Sequence, residues 1–274
     1  MKDRLRRFLN IDRRWLFLLL SVVMIWPIIH PSGIAGRTTQ QSVNDFYDFI
    51  ENLKENDFVI LGVDYDPSIK PELQPQAVAT LRHLFRRNVR VCILTFISGA
   101  PGLIEEIKQT VPQEAGKEYG KDYVVMAYNP NYMAAMTQMS IDFYKAYEKD
   151  AEGNTVKGMP VMKGINTYRD MAGVVEITGT GMLDAWVAYV GDKYNVPIIG
   201  GTTAISQLGY GPYLQNRQLL GLLGGMRGGS EYETLTGRKD KATSGIDALN
   251  LSHMLVIILI LTSNIILLVL KEKN

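Results

Sequence analysis

From Ala248 to Leu270 the chain carries no Asp, Glu, Lys or Arg for 23 residues, and Lys271, Glu272 and Lys273 then close the run. About 20 residues at 1.5 Å each cover roughly 30 Å of hydrocarbon, so a stretch of this kind reads as a membrane helix. It is apolar all round, without an amphipathic stripe, and lies at a terminus, which argues against a core helix of a soluble domain. A second charge-free interval lies between Arg14 and Arg37, and its apolar part, Trp15 to Ile29, reads WLFLLLSVVMIWPII. Trp15 and Trp26 suit the two interfacial belts. The expectation is therefore two transmembrane helices, at residues 15–33 and 248–270, with everything else hung between them.

Positive residues are retained on the cytoplasmic side of short flanks, whereas long domains cross largely regardless of charge. Lys2, Arg4, Arg6, Arg7, Arg13 and Arg14 precede the first segment, and only Arg37 falls in the twenty residues after it. The second segment is balanced, with Arg238, Lys239 and Lys241 before it and Lys271 and Lys273 after. Two spans force both ends onto one side. Residues 1–14 are thus expected as a cytoplasmic basic N-terminus, 271–274 as a cytoplasmic tail, and 41–237 as an extracytoplasmic domain of a protein in the cytoplasmic (inner or plasma) membrane. A cleavable signal peptide competes for the first segment, with Gly33, Ala35 and Gly36 as its small residues, but Pro27, Pro31 and the length of the apolar run argue against it. Either outcome leaves the domain outside.

Composition narrows the class. Forty-six per cent hydrophobic and 21% charged residues suit a sizeable core and exclude a disordered chain. A net charge of +1 provides no field for holding nucleic acid. One cysteine, Cys92, and three scattered histidines, His30, His83 and His253, allow neither a disulfide nor a Cys/His zinc cluster, so no metal and no cofactor are expected.

Between the ends, apolar strand-like runs alternate with helical stretches, the signature of an α/β fold with a mostly parallel sheet. Five strands are predicted, Phe58–Val63, Arg90–Phe96, Tyr123–Tyr128, Gly173–Thr178 and Val196–Gly200, in a Rossmann-like architecture with helices on both faces. The helices are placed at Gln41–Asn52, Pro71–Arg87, Gly102–Thr110, Tyr132–Lys149, Met182–Tyr194 and within 203–226, and residues 150–168 are read as a long excursion beside the sheet edge. Ligands of open parallel sheets bind at the carboxyl ends of the strands. That rule selects Ser98, Gly99, Thr180, Thr202 and Thr203, in loops of small and hydroxyl residues, as ligand-binding candidates. The same composition also serves turns and helix caps that bind nothing.

The loop Gly62-Val63-Asp64-Tyr65-Asp66-Pro67-Ser68 ends an apolar strand in D-x-D and resembles the first motif of the haloacid-dehalogenase phosphatase superfamily. The resemblance implies Asp64 as nucleophile and Asp66 as general acid/base, with Mg²⁺ offsetting the charge and Thr95 as the phosphate-binding hydroxyl. Pro67 departs from that pattern, and no later strand ends in a paired acidic motif.

The glycine-rich stretch 221–233 (GLLGGMRGGSEYE) lacks the order of a phosphate-binding loop and is expected to form a packing surface, for the sheet or for a partner subunit. Arg227 there, and Tyr210 and Tyr213 among fourteen tyrosines, are the expected interaction residues. Met133, Met136 and Met139 form a stripe most often found in cores. The expected role is non-enzymatic: a subunit or scaffold of a membrane-associated assembly that also presents a pocket for a small polar ligand at the strand ends. Its expected partners are the lipid bilayer and other membrane-protein subunits. An Mg-dependent phosphatase or hydrolase using Asp64 and Asp66, and a solute-sensing domain, are the alternatives.

Overall fold

The run Phe58–Asp64 (β1) is buried at every residue, as a strand flanked and covered on both faces must be. A computed structural model of the chain describes residues 11–33 and 38–271. In it β1 pairs in parallel with β2 (Arg90–Leu94) on one side, Ile60 opposite Cys92, and with β4 (Gly173–Thr178) on the other, Gly62 opposite Glu176 and Asp64 opposite Thr178. Outside β2 lies β3 (Tyr123–Val125); outside β4 lie β5 (Ile198–Thr202) and then β6 (Leu222–Gly224). The order β3-β2-β1-β4-β5-β6 is wholly parallel, and the chain reverses direction across the sheet between β1 and β4. This is the doubly wound arrangement whose crevice opens at that reversal.

Six strands stand where five were expected. The additional one, β6, lies inside the stretch read as helical, because a three-residue Leu-Leu-Gly segment has too little length for periodicity to separate strand from helix. Pairing of Gly200 with Leu222 and Thr202 with Gly224 settles it. Strand β5 also starts later than expected, at Ile198, and runs through Thr202, while β3 ends at Val125.

One face of the sheet, carrying Val59, Leu61, Val63, Val91, Ile93 and Val175, is covered by helices α2 (Gln41–Glu51), α3 (Lys70–Arg86) and α4 (Pro101–Lys108). The other face, with Phe58, Ile60, Cys92, Leu94 and Val174, is covered by α5 (Tyr132–Met139) and α6 (Met182–Trp186). The helix expected over Tyr132–Lys149 stops at Met139, and a separate turn, Phe143–Ala146, starts with the Asp142 side chain accepting from Tyr144 N. The excursion 150–168 does more than skirt the edge: Val156, Val161, Met162, Ile165 and Tyr168 are buried in this second core. Met136 and Met139 are buried there too, whereas Met133 is exposed.

After β5 comes the short helix α7 (Ala204–Gln207), and β6 leads directly into α8 (Gly225–Leu235). The glycine-rich stretch is thus a strand and a buried helix, with Gly228 and Gly229 closely packed.

The apolar ends form α1 (Arg13–Ile29) and α9 (Lys241–Lys271), which lie against each other. Among the described residues one helix is long and apolar enough to cross a membrane, Lys241–Leu270, not two. Helix α1 has 17 residues, about 26 Å at 1.5 Å per residue, and stops at Ile29 rather than reaching 33. Lys2, Arg4, Arg6 and Arg7, the small residues Ala35 and Gly36, and 272–274 lie outside the described residues.

Candidate functional site

Strand alternation decides which side chains meet at the crevice. Gly62 and Asp64 share the face of Phe58 and Ile60, and Glu176 and Thr178 of the neighbouring strand share that of Val174. Glu176 lies over Gly62, where any Cβ would overlap its carboxylate. Both acids are fully buried. Asp64 Oδ1 accepts from Phe96 N at 2.6 Å and from Thr95 Oγ1 at 2.8 Å. Asp64 Oδ2, both Glu176 carboxyl oxygens, Trp186 Nε1 and Tyr147 OH have no hydrogen-bond partner among the described residues. Five such atoms on one side of one sheet form a buried polar cluster beneath the β1–β4 reversal.

Its electrostatics follow from that burial. Loss of water raises the Asp64 carboxyl above its ordinary range, opposed by the Phe96 N–H and the Thr95 hydroxyl. Glu176 is raised further, by burial first and by the nearby Asp64 charge second. Burial and the adjacent Asp64 charge thus both disfavour the ionised form of Glu176. Sequence reasoning found Asp64 and missed Glu176. The available signal was a glutamate in the middle of the otherwise apolar GVVEIT.

Asp66 occupies the opposite environment. It is exposed, and its pKa is lowered by the Ser68 hydroxyl and by Ser68 N, which donates to its Oδ1 at 2.7 Å. Asp64 and Asp66 therefore do not converge on one open pocket: one is sealed in the core, and the other shapes the turn into α3. Thr95 donates to Asp64. The loop of Ser98 and Gly99 touches that of Asp66, and Ser98 is exposed. Thr180 is exposed above β4 and its N–H donates to Thr178 Oγ1. Thr202 points inward with its hydroxyl unpartnered among the described residues, while Thr203 caps α7 by accepting from Ser206 N. Ser98, Gly99 and Thr180 thus sit over the crevice, and Thr202 and Thr203 sit toward the β5–β6 edge. There Gln76 of α3 joins the two strand ends, donating to Thr202 O and Gly225 O. A cavity of about 310 Å³ opens at the ends of β2 and β3, lined by Thr95, Pro101, Ile104, Val125, Met126 and Tyr128.

The expected interaction residues separate. Tyr210 is buried and donates to Asp184 at 2.8 Å, with the Tyr213 ring beside it. The Arg227 side chain is exposed, its Nε 2.9 Å from Glu231 of the same helix. No group of three or more His, Cys, Asp or Glu side chains gathers as a metal site among the described residues.

A second constellation anchors the apolar ends. Glu233 of α8, 2% exposed, accepts from Asp240 N at 2.8 Å, Ala242 N at 3.0 Å, Thr243 N at 2.9 Å and Thr243 Oγ1 at 2.6 Å. Those are orphan donors at the start of α9, so a carboxylate from another helix caps it. Asp247 Oδ2 accepts from Ser32 N, Ser32 Oγ and Gly33 N, and Lys239 Nζ donates to Ser32 O. The segment after α1 is thereby fastened to the base of α9. Compared with known proteins, the chain matches no family model, no curated protein and no solved structure.

Proposed function

We propose that this protein is a membrane-mounted α/β subunit with a non-enzymatic role, its body on the extracytoplasmic side and its strand ends presented at a fixed attitude to the bilayer and to other membrane-protein subunits. The Glu233 cap carries this reading. A simple tether needs only a flexible linker, whereas α9 begins inside the body, with Ala242, Thr243 and Asp247 buried, and continues without a break into its apolar length. Arg13 and Arg14 lie at the end of α1 remote from the body, which supports a body on the outer side. The test is labelling of an Asn154→Cys variant in intact cells with a membrane-impermeant maleimide. Labelling before lysis is expected; labelling only after lysis contradicts the placement. In mild detergent the chain is expected to run in a complex larger than the chain alone, and a lone monomer contradicts the subunit role.

The cavity at the ends of β2 and β3 favours a small-ligand reading as well, in which a bound polar solute raises the thermal midpoint. The hydrolase alternative draws support from the Thr95–Asp64 hydrogen bond at adjacent strand ends, but it requires the buried Asp64 to open to solvent. Mg²⁺-dependent hydrolysis of a phosphomonoester that Asp64→Asn abolishes would establish it.

A further inference from the structure

Ile205 and Leu208 are 86% and 85% exposed, more than any other large aliphatic side chain of the described body. Three residues apart, they share one face of α7 and the turn that continues it. Side by side on one face, they make a small exposed apolar patch on the body. Their place in the fold indicates what they face.

Helix α9 runs antiparallel to α8. Asp240 meets Glu233, Ala242 meets Gly229 and Gly245 meets Met226, so α9 climbs toward the start of α8. That start, Gly225, lies at the carboxyl end of β6. From Leu249 onward α9 therefore leaves the body past the carboxyl edge of the sheet. The same edge carries α7: Ala204 touches Gly225 and the Gln207 side chain lies on Gly224. Arg227, with 57% of its side chain exposed, sits on the first turn of α8, the helix that packs against both α7 and α9. The surroundings of the start of α8 thus carry an aliphatic pair, a basic residue and the exit of the apolar helix.

We infer that this edge faces the bilayer and that Ile205 and Leu208 enter the boundary between headgroups and acyl chains, with Arg227 at the level of the lipid phosphates. Apolar side chains of interfacial elements bury about 5–10 Å into that boundary, and Arg places its charge in the headgroup layer while its stem stays on apolar surface. The inference rests on the membrane-mounted reading and adds an attitude to it: the β5–β6 strand ends, with Thr203, look at lipid rather than at bulk water. A ligand then reaches the crevice along the membrane surface.

The test uses the full chain in phosphatidylcholine/phosphatidylglycerol vesicles, with a polarity-sensitive nitrobenzoxadiazole probe on single introduced cysteines. The native Cys92 is buried, and the unsubstituted chain serves as its labelling control. Ile205→Cys and Leu208→Cys are exposed positions whose change leaves the core intact. Ile258→Cys reports α9, and Asn154→Cys reports the exposed turn after Asp150. The expected result is blue-shifted emission at 205 and 208 with at least twofold quenching by shallow doxyl lipid, deep quenching at 258 and none at 154. Quenching at 258 without quenching at 205 and 208 overturns the inference and leaves the mount standing. Loss of quenching at 258 as well overturns both. A blue shift at 205 and 208 that doxyl lipid does not quench marks a protein covering and overturns the lipid assignment.

Discussion

Glu176 and Asp64 set the chemistry of the core at the strand ends. An acid whose folded pKa is raised keeps its proton while the unfolded chain loses it near pH 4.5, so the unfolded state binds fewer protons and stability falls as pH rises above that point. Glu176→Gln removes this penalty. It is expected to stabilise the chain by about 1–3 kcal/mol at pH 7–8 and to have little effect at pH 4, read from denaturant unfolding at each pH. Gly62→Ala drives a methyl into the Glu176 carboxylate and is expected to cost about 2 kcal/mol or more, measured the same way. His83 gives the opposite slope. Burial holds it near pH 4 against a usual 6.5, its ring between the Tyr232 hydroxyl and Glu51, each at 2.7 Å. The unfolded chain binds the extra proton between those values, so stability is lost as pH falls through them, and His83→Gln is expected to flatten that acid limb. Asp64 was legible as a strand-end acid, but its partner was not. Glu176 sits in an apolar run, and only the register opposite Gly62 reveals the space that admits it.

Among the elements, the start of α9 depends on a residue eight positions before Lys241 and outside that helix. Glu233→Ala leaves several buried donors unpaired and is expected to cost about 3 kcal/mol, with amide exchange at Ala242 and Thr243 rising steeply; unchanged exchange would show that the cap contributes nothing. The apolar run announced this helix, but not that it begins at Lys241 rather than Ala248. Its first two turns, with Thr243, Ser244 and Asp247, lack the composition of a membrane span and are fixed by contacts with α8. Strand β6 escaped for a related reason. Long strands such as β1 and β4 are legible because burial on both faces demands continuous apolar side chains. Three residues beside glycines become a strand only when β5 offers its edge.

Across the whole molecule, the parallel α/β class was legible from alternating strand-like and helical runs, while the strand count and the crossing point at β1–β4 required pairing that one sequence does not display. The ends were legible as apolar but not as a joined pair: Asp247 and Lys239 bind the segment after α1 across more than 200 residues of chain. On the proposed reading, the Glu233 cap and the Asp247 contacts make the body and α9 move as one unit in a bilayer. Spin labels at Asn154→Cys and Leu261→Cys, with the full chain in lipid nanodiscs, measure this directly by pulsed dipolar spectroscopy. A single narrow distance distribution is expected. A broad distribution, or a chain that does not enter the nanodisc, would contradict the claim.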